Sequence, residues 1–303
     1  MSTASSRTEL PLQPQQPPTQ TPGPVKISKA IQGIYSAFLR QTDLSPSPEI
    51  NAIFSELVEL CIQPYDVQCV AAILNDRRVA KLSAHLRRIC STGEFKLESY
   101  WAEKIVQGKN QSETEKLLLS FPYYSNYVDL ARLEISALAA AHPKPIKTMC
   151  FIGSGPMPMT SLCFSRQLSP APRIHNIDCD PDAIAVSSKL CKNLGTKNMT
   201  FQLGNAAEIK DFSAYDVVFL AGLVGDCKET KMHILSKVVS RCRPSGLVVL
   251  RSAHGLRKLL YQEIDVGSLP QFGLEVLLVV HPWDHVVNSV VVCRVLAKEK
   301  ARL

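Results

Sequence analysis

The stretch that most constrains the fold is residues 147–158, Lys-Thr-Met-Cys-Phe-Ile-Gly-Ser-Gly-Pro-Met-Pro, an apolar run that stops on two glycines and two prolines. It spells strand, tight turn and helix start in that order. Gly153 and Gly155 let the backbone turn and approach a ligand with no Cβ in the way, and Pro156 has a φ suited to a first helical turn. With Ser154 between the glycines, the turn is a candidate seat for a nucleotide-like ligand. The third glycine of the dinucleotide fingerprint is missing, so the turn by itself does not decide the ligand.

A second strand-like stretch, residues 173–178, ends on Asp178 and is followed by Asp180 and Pro181. In a doubly wound sheet an acid at this point lies beside the first turn and accepts ribose hydroxyls. Asp178 is the candidate for that contact, its alternative being a further helix cap. Asp180, also counted with the cofactor contacts, reads more simply as the N-cap of a helix starting at Pro181. Further strands are predicted near 199–203, 216–220, 246–251, 274–281 and 289–294, with helices between the first five. That alternation calls for a parallel sheet covered on both faces. The last two strands are joined only by His281-Pro-Trp-Asp-His285, too short for a crossover, so they pair as an antiparallel hairpin. Five parallel strands closed by a hairpin resemble the class I methyltransferase-like Rossmann sheet, an α/β fold that binds S-adenosylmethionine.

Upstream the pattern is helical. Residues 1–25, rich in Pro, Gln, Thr and Ser, lack a burial pattern and read as a disordered tail. Helices are predicted at about 27–39, 49–61, 67–90, 94–106, 113–119 and 127–141. Residues 26–142 therefore read as an all-helical domain, with His142-Pro-Lys-Pro145 joining it to a Rossmann-like domain over 143–303. With 303 residues, 46% of them hydrophobic, the chain can bury a full core. A net charge of +7 without any basic block interleaved with aromatics does not demand a nucleic acid. Ten scattered cysteines with no C-x-x-C read as free thiols in a reducing compartment. No apolar run approaches a bilayer span and no signal-peptide core opens the chain, so a cytoplasmic protein is expected.

Two stretches refine the cofactor reading. Asn205 and Ala206, after the third strand, stand where a polar group meets an adenine amine; a plain turn is the alternative. Leu220 and Ala221 end the fourth strand. The Asp- or Asn-Pro-Pro-aromatic element of enzymes that methylate nucleic-acid bases is absent there, which argues against a nucleic-acid substrate.

Several words together resemble the nicotianamine synthase family: Leu44-Ser-Pro-Ser-Pro-Glu49, Cys90-Ser-x-x-Glu94-x-x-Leu-Glu98, Phe121-Pro-Tyr-Tyr-Ser-Asn-Tyr127, Phe151-Ile-Gly-Ser-Gly-Pro-x-Pro158, Tyr215-Asp-Val-Val-Phe-Leu-Ala221, Leu223-Val-Gly225, Leu250-Arg-Ser-Ala-His254 and Val287-Asn-Ser-Val-Val291. Gly222 stands where the family usually has alanine, and Asp226 where an apolar residue is common. The resemblance implies that three S-adenosylmethionine molecules, as substrate, yield nicotianamine, a metal chelator, and three methylthioadenosines. A single-transfer relative acting on another amino acid, an ordinary small-molecule methyltransferase and a catalytically silent protein-binding relative stay open as alternatives. The expected partner is a small molecule, with no nucleic acid, membrane or catalytic metal.

Glu94 and Glu98, four apart, share one face of a helix. A solvated pair of this kind is unremarkable; the resemblance makes Glu94 the favoured base for the attacking amine and Glu98 a neighbour that raises its pKa by like charge. Tyr123, Tyr124 and Tyr127 are candidate carboxylate and sulfonium contacts, the first two the stronger, with a core role as the alternative. Arg251 and His254 leave the fifth strand at its ligand-binding end, where a guanidinium suits an α-carboxylate; a surface salt bridge is the alternative. His281 and His285 sit in a hairpin turn and are not expected to hold a metal.

Overall fold

The computed structural model describes residues 22–225 and 227–297. Most of the expected tail, residues 1–21, lies outside these; at its far end Pro24 opens helix α1 (Pro24–Leu39), so the helical region begins two residues earlier than expected. Proline in the first turn and an apolar face of Ile27, Ile31, Ile34 and Phe38 account for that helix. Helix α2 (Pro48–Ile62) is capped by Ser47, whose Oγ accepts from Ile50 N at 3.1 Å.

The break between the next helices differs from expectation. Helix α3 (Val67–Leu74) ends early, and α4 (Arg77–Ile105) runs without interruption through 90–94. Asp76 caps α4 by accepting from Arg78 N at 2.9 Å, a local signal outweighed in the sequence by the apolar period on either side. Gly93 does not break α4 because it is used for packing: a Cβ there would overlap the ring of Phe54 on α2. Helices α5 (Gln111–Leu119) and α6 (Tyr124–Ala141) complete the helical part. Helix α4 passes from one core to another. Its first half packs with α1, α2 and the short helix Gly255–Leu259, while Ala102 and Ile105 near its end join the core under the sheet.

From residue 148 seven strands form one sheet: β1 (Thr148–Ile152), β2 (Arg173–Asp178), β3 (Met199–Leu203), β4 (Val217–Leu220), β5 (Leu247–Ser252), β6 (Leu274–Val280) and β7 (Ser289–Val295). Their order is β3-β2-β1-β4-β5-β7-β6. The first five are parallel, and β7 inserts antiparallel between β5 and β6. Helices α7 (Met159–Gln167), α8 (Pro181–Asn193) and α9 (Lys228–Val239) follow β1, β2 and β4. The expected helix between β3 and β4 is not formed. That segment is held as an extended turn, with buried Phe212 in the core and Arg241 Nη1 on the carbonyls of Ala207 and Ile209, both at 2.7 Å.

Both sheet faces are covered, which explains strands as apolar as Val217–Leu220. The chain leaves β1 toward β2 on one side and later returns to β4 on the other. The crevice outside the ends of β1 and β4 is therefore the topological switch point, where open α/β sheets bind ligands. Among the described residues no helix is long and apolar enough to cross a membrane.

Candidate active site

The turn after β1 is built as its glycines require. Gly153 and Gly155 have φ of 76° and 65°, in the left-handed region. The N–H groups of Gly153 and Ser154 both donate to Ile177 O, at 2.8 and 3.3 Å, tying the turn to β2. Asp178 then secures the far side: Oδ2 accepts from Gly155 N at 2.8 Å and Oδ1 from Asp180 N at 3.0 Å. Asp180 caps α8 through Ala183 N at 2.8 Å, as its position before Pro181 indicates. Pro156 departs from expectation. The helix starts only at Met159, so Pro156 belongs to the turn, is buried and does not line the cleft.

A cavity of about 520 Å³ opens on this turn. Ser154, Asp178, Asn205, Ala206 and Ala221 line it, whereas Leu220 points into the core on the other face of the sheet. Asn205 uses its Oδ1 within its own turn, accepting from Ala207 N at 3.0 Å. Ser154 Oγ is buried and has no protein partner. An orphaned hydroxyl at the floor of a cleft is a group a ligand would satisfy.

Helix α4 brings Glu94 and Glu98 to the same cavity, one turn apart on one face. Glu98 reaches the glycine turn, since a Cβ on Gly155 would lie 2.8 Å from its Oε2. Each carboxyl holds a phenol: Tyr261 OH donates to Glu94 Oε2 at 2.5 Å, and Tyr127 OH donates to Glu98 Oε1. Burial raises the pKa of both acids. Glu98 is pushed up to about 8, by burial first and by the charge of Glu94 second. Glu94 is raised by burial, against which the Tyr261 hydrogen bond and the charge of Arg251 favour its ionised form. The like-charge effect thus runs opposite to the sequence expectation: Glu94 raises Glu98, and desolvation exceeds it. Glu98 holds a proton across neutral pH, and at both acids a phenol and the charge of Arg251 oppose the rise that burial causes.

Arg251 is buried rather than on the surface. Its Nε and Nη2 lie 2.8 and 3.1 Å from the two carboxylate oxygens of Glu134 on α6, and Nη2 also donates to Thr160 Oγ1 at 2.5 Å. Nη1 enters none of these bonds. A second cavity of about 160 Å³ lies on the other side of α4, bounded by Phe54, Leu97, Phe121 and Tyr123. Glu94, Glu98, Tyr127, Arg251, Tyr261 and Asn288 line both cavities. The carboxylate pair therefore stands at a boundary between a large chamber and a small one.

Two other expectations fail. Tyr124 lines neither cavity; it packs against the core and faces Arg166. His254 is also outside, its ring stacked 4.1 Å from that of His281. His281 bonds Ser289 and His285 pairs with Asp129, so these two rings turn to different partners. Among the described residues no group of three or more His, Cys, Asp or Glu is placed to hold a metal.

Glu134, Tyr261, Lys231 and Asn288 were not singled out from sequence. For Asn288 the signal was its place in the 287–291 word; Glu134, Tyr261 and Lys231 carry no local signal, because their partners lie far away along the chain or behind a loop. Lys231 on α9 is fully buried, with Nζ 3.1 and 2.7 Å from the carbonyls of Ala221 and Gly222, and burial pushes its pKa down to about 7.

A family model described as nicotianamine synthase protein matches residues 24–300. Nicotianamine synthase 3 of Oryza sativa subsp. japonica is 37% identical over 277 residues, covering 89% of this chain and 78% of the relative. Nicotianamine synthase 2 of Arabidopsis thaliana is 36% identical over 274 residues, covering 89% and 84%. Among solved structures, a glutamate-to-glutamine variant of MtNAS in complex with S-adenosylmethionine superposes with a TM-score of 0.75 at 20% identity, covering 89% of this chain and 98% of that one. MtNAS in complex with MTA and tNA gives 0.74 at 20%, covering 90% and 97%. At that identity the two structures speak for the fold.

Proposed function

The chain belongs to the nicotianamine synthase family, and on that premise we propose that it condenses three S-adenosylmethionine molecules, by aminocarboxypropyl transfers and ring closure, into nicotianamine and three methylthioadenosines. The observation that carries this reading is the carboxylate pair of α4 standing between two chambers beside the glycine turn. The larger chamber, at about 520 Å³, falls within the roughly 300–1,000 Å³ typical of small-molecule sites. Its residues suit the substrate: Asp178 is assigned to the ribose hydroxyls and Asn205 and Ala206 to the adenine, which their place in the chamber lining supports, and orphaned Ser154 Oγ is free to meet a ligand.

The carbons on a sulfonium are all electrophilic, so the one held in line with the nucleophile is the one attacked. The smaller chamber supports an acceptor amine on the opposite side of Glu94. There Glu94 takes the amine proton, the nitrogen–carbon bond forms, and the carbon–sulfur bond breaks with its electron pair leaving on a neutral thioether. Tyr261 holds Glu94 in place, while Tyr127 and protonated Glu98 offer hydrogen bonds rather than a second negative charge. Helix α4 thus supplies the base, both parts of the chain wall the acceptor chamber, and the turns after β1, β2 and β3 form the nucleoside seat. No step calls for a metal or a nucleic acid. Ten unpaired thiols suit a reducing compartment such as the cytoplasm.

The test is incubation of the purified protein with S-adenosylmethionine alone, followed by mass spectrometry. Nicotianamine with methylthioadenosine is expected. S-adenosylhomocysteine as by-product, or a requirement for an added amino acid such as histidine, would replace this reading with a methyltransferase or a single-transfer enzyme.

A further inference from the structure

The loop after β4, residues 221–225, lines the larger chamber, yet two of its carbonyls are turned toward Lys231, which does not. Lys231 is fully buried and no carboxylate pairs with it among the described residues. Its Nζ, as ammonium or amine, keeps at least two N–H donors, so both carbonyl bonds survive either protonation state. In a planar trans peptide the N–H points opposite to the carbonyl. With the carbonyls of Ala221 and Gly222 drawn behind the loop, the N–H groups of Gly222 and Leu223 are presented on the chamber side. Among the described residues neither N–H has an acceptor.

An independent donor sits at the same place. Asn288 Nδ2 is buried, its residue 6% exposed, and it has no partner. It lies 3.3 Å from where a Cβ on Gly222 would be, so the glycine permits the close approach. A buried side-chain donor left without an acceptor is costly, and with the two half-buried peptide N–H groups beside it the spot matches a group with several lone pairs. Arg251 lines the same chamber, with its charge already met by Glu134, so the seat rests on neutral donors.

We propose that Gly222 N–H, Leu223 N–H and Asn288 Nδ2 form a seat for the α-carboxylate of an aminocarboxypropyl arm, with Lys231 as the positioning residue that keeps the two peptide donors turned toward it. This rests on the reaction proposed above. The carboxylate has two sources, the arm of the S-adenosylmethionine being attacked and the growing acceptor chain, because Asn288 borders both chambers.

Calorimetry tests the seat on the full chain, comparing S-adenosylmethionine with its decarboxylated analogue in wild type, Asn288→Asp, Asn288→Ala and Lys231→Met. Wild type is expected to prefer the carboxylate-bearing ligand by about 10- to 100-fold, the range for a hydrogen-bonded charge. Asn288→Asp, which sets a negative charge in the seat, should erase that preference while sparing the decarboxylated analogue, and Lys231→Met should reduce it in the same selective way. Should Lys231→Met not fold, the two Asn288 variants carry the test. If the preference persists in Asn288→Asp but nicotianamine binding to the methylthioadenosine-loaded protein weakens, the seat holds the growing chain. If neither ligand discriminates between wild type and the Asn288 variants, the seat does not exist, although the proposed reaction stands. A wild-type protein that binds no S-adenosylmethionine would overturn both.

Discussion

Arg251 on β5 and Glu134 on α6 form a two-pronged ion pair, 2.8 and 3.1 Å, with side chains 9% and 0% exposed. It joins α6 to the sheet, and its arginine lines both chambers. Such a pair is weak evidence for net stability, because desolvation offsets the attraction, but removing one partner strands the other. Glu134→Ala should lower unfolding free energy by about 3–5 kcal/mol in urea melts, with Glu134→Met no better because Arg251 remains unpaired. A loss below about 1 kcal/mol would show that solvent or another acid reaches Arg251.

For Glu94 the expected outcome concerns rate. The attacking amine is almost wholly protonated at neutral pH and has no lone pair to offer. Glu94→Gln keeps size and hydrogen bonding while removing the basic oxygen, so turnover should fall by about 10²- to 10⁴-fold with S-adenosylmethionine affinity little changed. The deficit should narrow as pH rises, since solvent then supplies free amine. Wild-type turnover at pH 7 would move the base to another group.

Glu98 makes a prediction about stability and pH. Its carboxyl titrates near 4.5 when unfolded and near 8 in the fold, so the native state binds its proton more tightly. That contribution is fully present below pH 4.5 and is lost as pH rises through 8. Glu98→Gln cannot ionise, so its stability relative to wild type should increase between about pH 5 and pH 8, on the order of 3–4 kcal/mol. Parallel stability curves for the two proteins would rule out a raised Glu98.

Asp178 has a structural and a binding role that one substitution separates. Its two oxygens accept from Gly155 N and Asp180 N, and asparagine presents an N–H to one of these donors. Asp178→Asn should cost about 1–3 kcal/mol of S-adenosylmethionine binding, as charge-assisted bonds are lost, and destabilise the ligand-free protein as well. Unchanged affinity by calorimetry, with lowered melting temperature, would leave Asp178 as a support of the turn alone.

Much of the fold was legible locally. The bounds read for β2 and β3 coincide with the strands formed, because each is a short strand-like stretch ended by turn residues. The caps at Ser47 and Asp180 follow from residue type and position. The Gly153 and Gly155 turn, the acid at 178 and the hairpin through residues 281–285 likewise follow from residues adjacent in the chain.

What the chain alone determined, then, was whatever depends on neighbours within a turn or two: the elements, the glycine turn, and the shared face of Glu94 and Glu98. Tertiary structure decided the rest. Tyr261 meets Glu94 across 167 residues and Glu134 meets Arg251 across 117, separations at which no period or propensity carries information. Packing also removed Tyr124, His254, Leu220 and Pro156 from the chambers although each stands beside a residue that lines one or close to it. The protonation of the carboxylate pair belongs to the same class. Burial is the largest cause of its raised pKa values, and desolvation is set by the elements folded around a side chain, not by the residues next to it in sequence.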